Sequence, residues 1–238
     1  MKFYCVSIII LSFINCGKSQ SNKTPIININ DTIAINNYFS FDLEYNDLYS
    51  YSKMLKINFT TLIINDVDSI LKVMSVWDQK YRGDTIHNLN PKEFVEAEKI
   101  MKLLNKRKKI DSINYVLLRN ITNQFGWPDN RQFSLDAING AFYTILHMNG
   151  KNGENSNIFK FHIEKAYQNK QISSYHYAVL IDHILLQNKM NQKYGTHCKN
   201  KKGEFIFYNM EDIKTVDINR QTIGLTIMKN NTCELISY

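Results

Sequence analysis

Proline is almost absent from this chain, with three residues among 238, and glycine is scarce at nine. No Pro/Gly/Ser-rich linker divides the sequence, so the part that folds reads as one domain rather than two. Nor does any internal repeat of solenoid length appear. Cysteine occurs four times, at Cys5, Cys16, Cys198 and Cys233, and no pair has the spacing of a zinc site. The apolar run from Phe3 to Ile14 falls short of the ~20 residues that a permanent transmembrane helix needs. The sequence also lacks a Gly-x-Ser-x-Gly elbow, a Walker loop, a dinucleotide fingerprint and a His-Glu-x-x-His pair. It therefore declares no nucleophile and no metal site, and no cofactor is expected.

What is present starts at the amino terminus. Lys2 and the apolar run have the make-up of a signal peptide over residues 1–15, followed at once by Asn15, Cys16, Gly17, Lys18 and Ser19. A cysteine directly after the apolar stretch, with a polar tether behind it, resembles the lipobox of bacterial lipoproteins. That resemblance implies acylation of Cys16, a membrane partner through the lipid anchor, and a place in the bacterial cell envelope. The alternative is an ordinary secretory signal and a secreted product. Loss of Lys2 takes the net charge from +7 to +6. The densest basic run, Lys106-Arg107-Lys108-Lys109, reads as a solvated connection between helices, so no nucleic-acid partner is expected.

With Cys5 removed and Cys16 acylated, Cys198 and Cys233 remain. Their pairing in an oxidising compartment is worth about 3 to 4 kcal/mol on chain-entropy grounds, and spacing leaves it open.

Residues 16–60 read as a tether with irregular or weakly stranded structure, and residues 61–238 as a mainly α domain. That domain has about six amphipathic helices and a small C-terminal β-hairpin. Val67, Ile70, Leu71, Met74 and Trp77 recur at helical spacing, with Asn65 and Asp66 as caps and Gly83 as a stop. A second helix opens at Asn90-Pro91-Lys92-Glu93, and a third opens at Asp111 and closes at Gly126-Trp127-Pro128. Ser134, Asn157 and Ser173 or Ser174 cap three more. Phe205 to Tyr208 reads as a strand, and Lys199 to Gly203 as a hairpin turn.

Several polar landmarks run in order from Trp77 to Leu225: Trp77-Asp78-Gln79 with Arg82; Asp111 with Asn114; Gly126-Trp127-Pro128; His147; Asp182; Gln192-Lys193-Tyr194-Gly195-Thr196; and Asn219-Arg220 with Gly224-Leu225. Together they resemble a bacterial family catalogued as domain of unknown function 6624. The resemblance implies a helical fold and brings no established activity. The chain departs from that pattern at Leu146, His183 and His197.

Taken singly, Asp78 and Arg82 are four apart and read as a surface ion pair; Asp111 and Asn114 read as a helix cap and its neighbour. Asp182 is different, because it falls on an apolar helical face where a carboxylate must be paired or protonated. His147 and Arg220 are its expected partners. The candidate ligand-binding set is therefore His147, Asp182, Gln192, Tyr194, Gly195, Thr196 and Arg220. His147, Asp182, His183 and His197 include ligand types for zinc without its spacing.

Three functions follow from different readings of these residues. The first is an envelope domain that binds a small ligand or an envelope protein through a polar pocket. The second is a hydrolase with Asp182 and His147 as an acid/base pair. The third is a structural or protective interaction protein that works through its amino-terminal segment.

Overall fold

The computed structural model describes residues 48–82, 94–148, 154–201 and 204–228. The signal segment, Cys16, the tether through residue 47, Gly83, the Asn90-Pro91 cap, Gly150 and Cys233 lie outside these residues. The chain runs α1 (Leu48–Ser52), two 3-10 turns (Lys53–Lys56 and Phe59–Thr61), α2 (Ile64–Lys80), α3 (Phe94–Phe125), α4 (Leu135–His147), α5 (Glu154–Gln168), α6 (Ser174–Gln187), β1 (Cys198–Lys201), β2 (Glu204–Phe207) and α7 (Ile213–Thr222). It is mainly helical with one small antiparallel sheet, as the periodicity suggests.

α2 lies at the centre. Its start is fixed by Asp66, whose Oδ2 accepts the Ile63 backbone N–H at 3.0 Å, one half of a capping box. Its buried face is Val67, Ile70, Leu71, Met74 and Trp77, and Asp78 continues that face. α4 begins at Ser134, whose hydroxyl accepts the Ala137 N–H and whose own N–H donates to Asp68 of α2 at 2.7 Å. α2 and α4 pack so closely at Gly140 that a Cβ built there would overlap the Leu71 carbonyl oxygen. That proximity sets Asp78 beside the last turn of α4.

α3 corrects the expectation of two helices. It continues through Lys106 to Lys109 because no glycine or proline interrupts residues 94 to 125 and Lys and Arg are good helix formers. Asp111 is therefore an interior residue of α3, not a cap. The helix ends where anticipated, at Gly126 in the left-handed region (φ +80°), with Trp127 buried beyond it.

Three other details differ from expectation. Tyr51, Met54 and Phe59, assigned to the tether, sit in the core. Lys199 to Lys201 belong to β1, paired with Ile206, Phe205 and Glu204, rather than to a turn. α7, capped by Asp212 accepting from the Lys214 and Thr215 N–H groups, follows the hairpin where no helix was anticipated. Cys198 is disulfide-bonded, and the other cysteines lie outside the described residues.

Candidate functional site

Asp182, in the middle of α6, is fully buried. Its Oδ1 accepts the backbone N–H of Lys193 at 2.7 Å and of Tyr194 at 3.0 Å. Oδ2 accepts the Thr196 N–H at 3.0 Å and the Thr196 hydroxyl at 2.9 Å. Burial pushes this carboxyl up, while the three backbone donors hold its charged form. Because every contact donates to it, Asp182 serves as the carboxylate, with its lone pairs engaged.

The loop it holds is braced from the other side as well. Gln192 donates to the carbonyls of His197 (2.9 Å) and Tyr208 (3.2 Å) and accepts the His197 N–H at 2.6 Å. Arg220 donates from its guanidinium to the Tyr194 carbonyl at 2.8 Å and to the Thr226 carbonyl at 2.6 Å. Gly195 supplies the left-handed turn (φ +62°), and a Cβ there would press on Met228. The structure thus gathers Asp182, Gln192, Tyr194, Gly195, Thr196 and Arg220 around one loop, but Arg220, an expected partner of Asp182, bonds the Tyr194 and Thr226 carbonyls instead, and Asp182 is met by the loop's backbone and the Thr196 hydroxyl.

His147 does not join them, which corrects the expected single cluster. Its Nδ1 lies 2.8 and 3.0 Å from the two oxygens of Asp78. A carboxylate only accepts here, so Nδ1 carries the hydrogen and Nε2 is the nitrogen left to meet a solute. The Asp78 side chain is 1% exposed and that of His147 16%. Gln79 also donates to Asp78 at 2.7 Å. Arg82 Nε stands 3.3 Å from Asp78 Oδ2, at ion-pair distance but misaligned for a hydrogen bond, and its guanidinium pairs with Asp111 of α3.

Asp78 and Arg82 are therefore not a surface pair. Tyr51 stacks on Trp77, ring centroids 4.7 Å apart, and its hydroxyl donates to Asn114 of α3. Tyr143 lies over the His147 ring at 6.1 Å. Arg107 approaches from α3, its Nε donating to the Tyr81 carbonyl.

Two carboxyl groups of this cluster are driven apart. Burial pushes Asp78 up, but the charge and hydrogen bond of His147, with Arg82 and Gln79, hold it below the usual carboxylate range. For Asp111 burial wins over Arg82, and with repulsion from Asp78 raises it to about 6. One carboxyl of the cluster is thus held charged beside His147, and the other titrates near neutrality.

The buried side-chain nitrogens without a hydrogen-bond partner, among the described residues, are Arg82 Nε, Asn114 Nδ2 and His183 Nε2. The first two belong to this cluster. His183 borders it: burial and then the charges of His197 and His147 depress it to about 3, and its ring bonds the Ile145 backbone. Its ring centroid is 5.6 Å from that of His197. Among the described residues no three His, Cys, Asp or Glu side chains converge as a metal ion requires.

Asp78, Arg82, Asp111, Asn114 and Tyr51 escaped the sequence reading as site residues, yet a signal for three of them was there. Asp78 lies four after Met74, in register with the apolar stripe of α2. Asp111 and Asn114 adjoin Ile110, Ile113, Leu117 and Leu118, the stripe of α3. No protein-family model matches this chain, and no curated protein or solved structure is similar to it.

Proposed function

We propose that the chain is an envelope lipoprotein of the family catalogued as domain of unknown function 6624, anchored through acylated Cys16, and that its helical domain is a hydrolase centred on Asp78 and His147. The observation that carries the hydrolytic reading is the Asp78–Nδ1 bond, which fixes the tautomer and leaves Nε2 as the proton acceptor of a side chain that is 16% exposed. In this role Nε2 takes a proton from water as the water oxygen attacks the substrate. Asp78 stabilises the imidazolium that forms. The protonated fraction of Asp111 is the acid for the leaving oxygen, and Arg82 ties the two carboxyls together. The earlier choice of Asp182 as the partner of His147 gives way to Asp78.

A neutral chromogenic ester such as p-nitrophenyl acetate tests this directly. His147→Gln is expected to lower its hydrolysis by about 100-fold or more, with the circular dichroism spectrum unchanged. An unchanged rate in the folded variant contradicts the reading. Anchoring is tested separately by labelling a bacterial host with a fatty-acid analogue: the wild-type chain takes the label and Cys16→Ser does not.

Ligand binding without chemistry is the second reading. The unpartnered Arg82 Nε and Asn114 Nδ2 favour it, since buried donors left alone cost about 1 to 3 kcal/mol each until something fills them.

A further inference from the structure

The basic run read from sequence as a solvated connection lies one helical turn from Asp111, because α3 is continuous. Arg107 is half-buried rather than solvated, and its proton is loosened by burial and by the nearby Arg82 while Asp111 and Asp78 tighten it. The geometry brings the four groups together: Arg107 bonds the carbonyl of Tyr81, the residue before Arg82, and Arg82 pairs with Asp111, one turn on from Arg107, and stands 3.3 Å from Asp78. Lys106, on the exposed side of the same turn, holds its ammonium 5.2 Å from the Tyr81 ring centroid. The Arg107 Nε is spent on the Tyr81 carbonyl, which fixes the plane of the guanidinium, and among the described residues its terminal nitrogens have no hydrogen-bond partner. The two guanidinium groups repel each other, Asp111 and Asp78 oppose that repulsion, and Arg82 Nε is still left buried without a hydrogen-bond partner.

We propose that this site takes a ligand bearing a phosphate-type oxyanion, held by Arg107 and Arg82 with Lys106 at the rim. The proposal rests on the reading of Asp78 and His147 as the functional site. Arg82 and Arg107 meet Asp78 and Asp111 there, Lys106 adds a third cation at the rim, and the two carboxylates are already engaged by His147 and Arg82. The surplus charge favours an anion. The planar guanidinium fork, fixed at one end, matches a tetrahedral oxyanion that accepts two parallel hydrogen bonds.

Calorimetric titration of the full chain with inorganic phosphate tests it, with acetate as control. Saturable phosphate binding is expected, at least tenfold tighter than acetate. Arg107→Gln is expected to weaken it tenfold or more, and Arg107→Lys, which keeps the charge but loses the fork, by a smaller factor. Lys106→Gln, on an exposed position that does not endanger folding, should weaken it about threefold. A companion sedimentation with phosphatidylcholine vesicles, with and without phosphatidylglycerol, separates the sources: Arg107-dependent binding to the anionic vesicles assigns the oxyanion to a lipid headgroup, and phosphate binding without it assigns a soluble ester.

No phosphate binding by the wild-type chain overturns the proposal. So does binding that acetate equals or that folded Arg107→Gln retains. The titration involves no turnover, so its failure is distinct from failure of the neutral-ester test, which needs no anion.

Discussion

Asp78 and Asp182 are both buried carboxylates set on the apolar face of a helix, and their surroundings differ in one respect. Asp182 accepts three backbone N–H groups and one hydroxyl from a loop that closes around it. Asp78 accepts from the side chains of Gln79 and of His147 on α4, leaves Arg82 Nε misaligned, and fixes the tautomer of a partly exposed histidine. A carboxylate bonded by backbone donors fixes a fold. One bonded by titratable side chains, with polar atoms nearby left unfilled, is arranged for something absent from the fold itself.

The largest effect should come from breaking the satisfied region. Asp182→Asn turns one acceptor into a donor facing backbone donors, and is expected to cost about 3 to 5 kcal/mol, lowering the melting temperature by about 10 °C. Differential scanning calorimetry reads this, and a melt within 2 °C of wild type (~1 kcal/mol) would show that the loop does not depend on Asp182. Next in size is Gly140→Ala, whose methyl meets the Leu71 carbonyl and must part α2 from α4. A loss of about 1 to 3 kcal/mol is expected in urea unfolding, with ester hydrolysis falling further than the folded fraction because Asp78 and His147 are drawn apart. Hydrolysis that tracks the folded fraction alone would separate the two effects.

A third comparison uses pH. The folded chain holds Asp111 at about 6, above the ordinary aspartate value of 3.8, so between these values it binds the proton more tightly than the unfolded chain does. This contribution to stability is present below pH 4 and is lost as pH rises through 6. Asp111→Asn, fixed in a neutral form, should therefore gain on wild type between pH 4 and pH 8 by on the order of 2 to 3 kcal/mol. A pH-independent difference in urea midpoints would contradict the burial of Asp111. Smallest is Tyr51→Phe, which removes the hydrogen bond to Asn114 but keeps the stack on Trp77. About 1 kcal/mol is expected in the same urea assay, and no measurable loss would mean that the hydroxyl is not bonded there.

Periodicity made most of the helices legible, since Ser134 and Ser173 are side-chain caps and Gly126 a stop that depend on local chemistry. It misplaced a boundary at Lys106 to Lys109, where charge density was read as a break although nothing in the backbone forbids a helix. The site was legible by half. Asp182 stood out as a lone carboxylate on an apolar face, and the Gln192 to Thr196 loop beside it was anticipated, but its expected side-chain partners, His147 and Arg220, both bond elsewhere and backbone N–H groups take their place. The pairing of His147 with Asp78 was not legible, because which helix lies beside which depends on packing such as Gly140 against Leu71. Asp78 was hidden by Arg82 four residues on, a spacing that suits an exposed pair equally well.

The most direct test of the contrast is the rate of p-nitrophenyl acetate hydrolysis per folded molecule in Asp78→Asn and Asp182→Asn, each corrected by its own unfolding curve. Asp78→Asn is expected to lose about 100-fold or more, because an asparagine leaves His147 in either tautomer, while Asp182→Asn keeps the wild-type rate per folded molecule. Equal losses in the two variants, or a loss confined to Asp182→Asn, would contradict the assignment of function to Asp78 and of structure to Asp182.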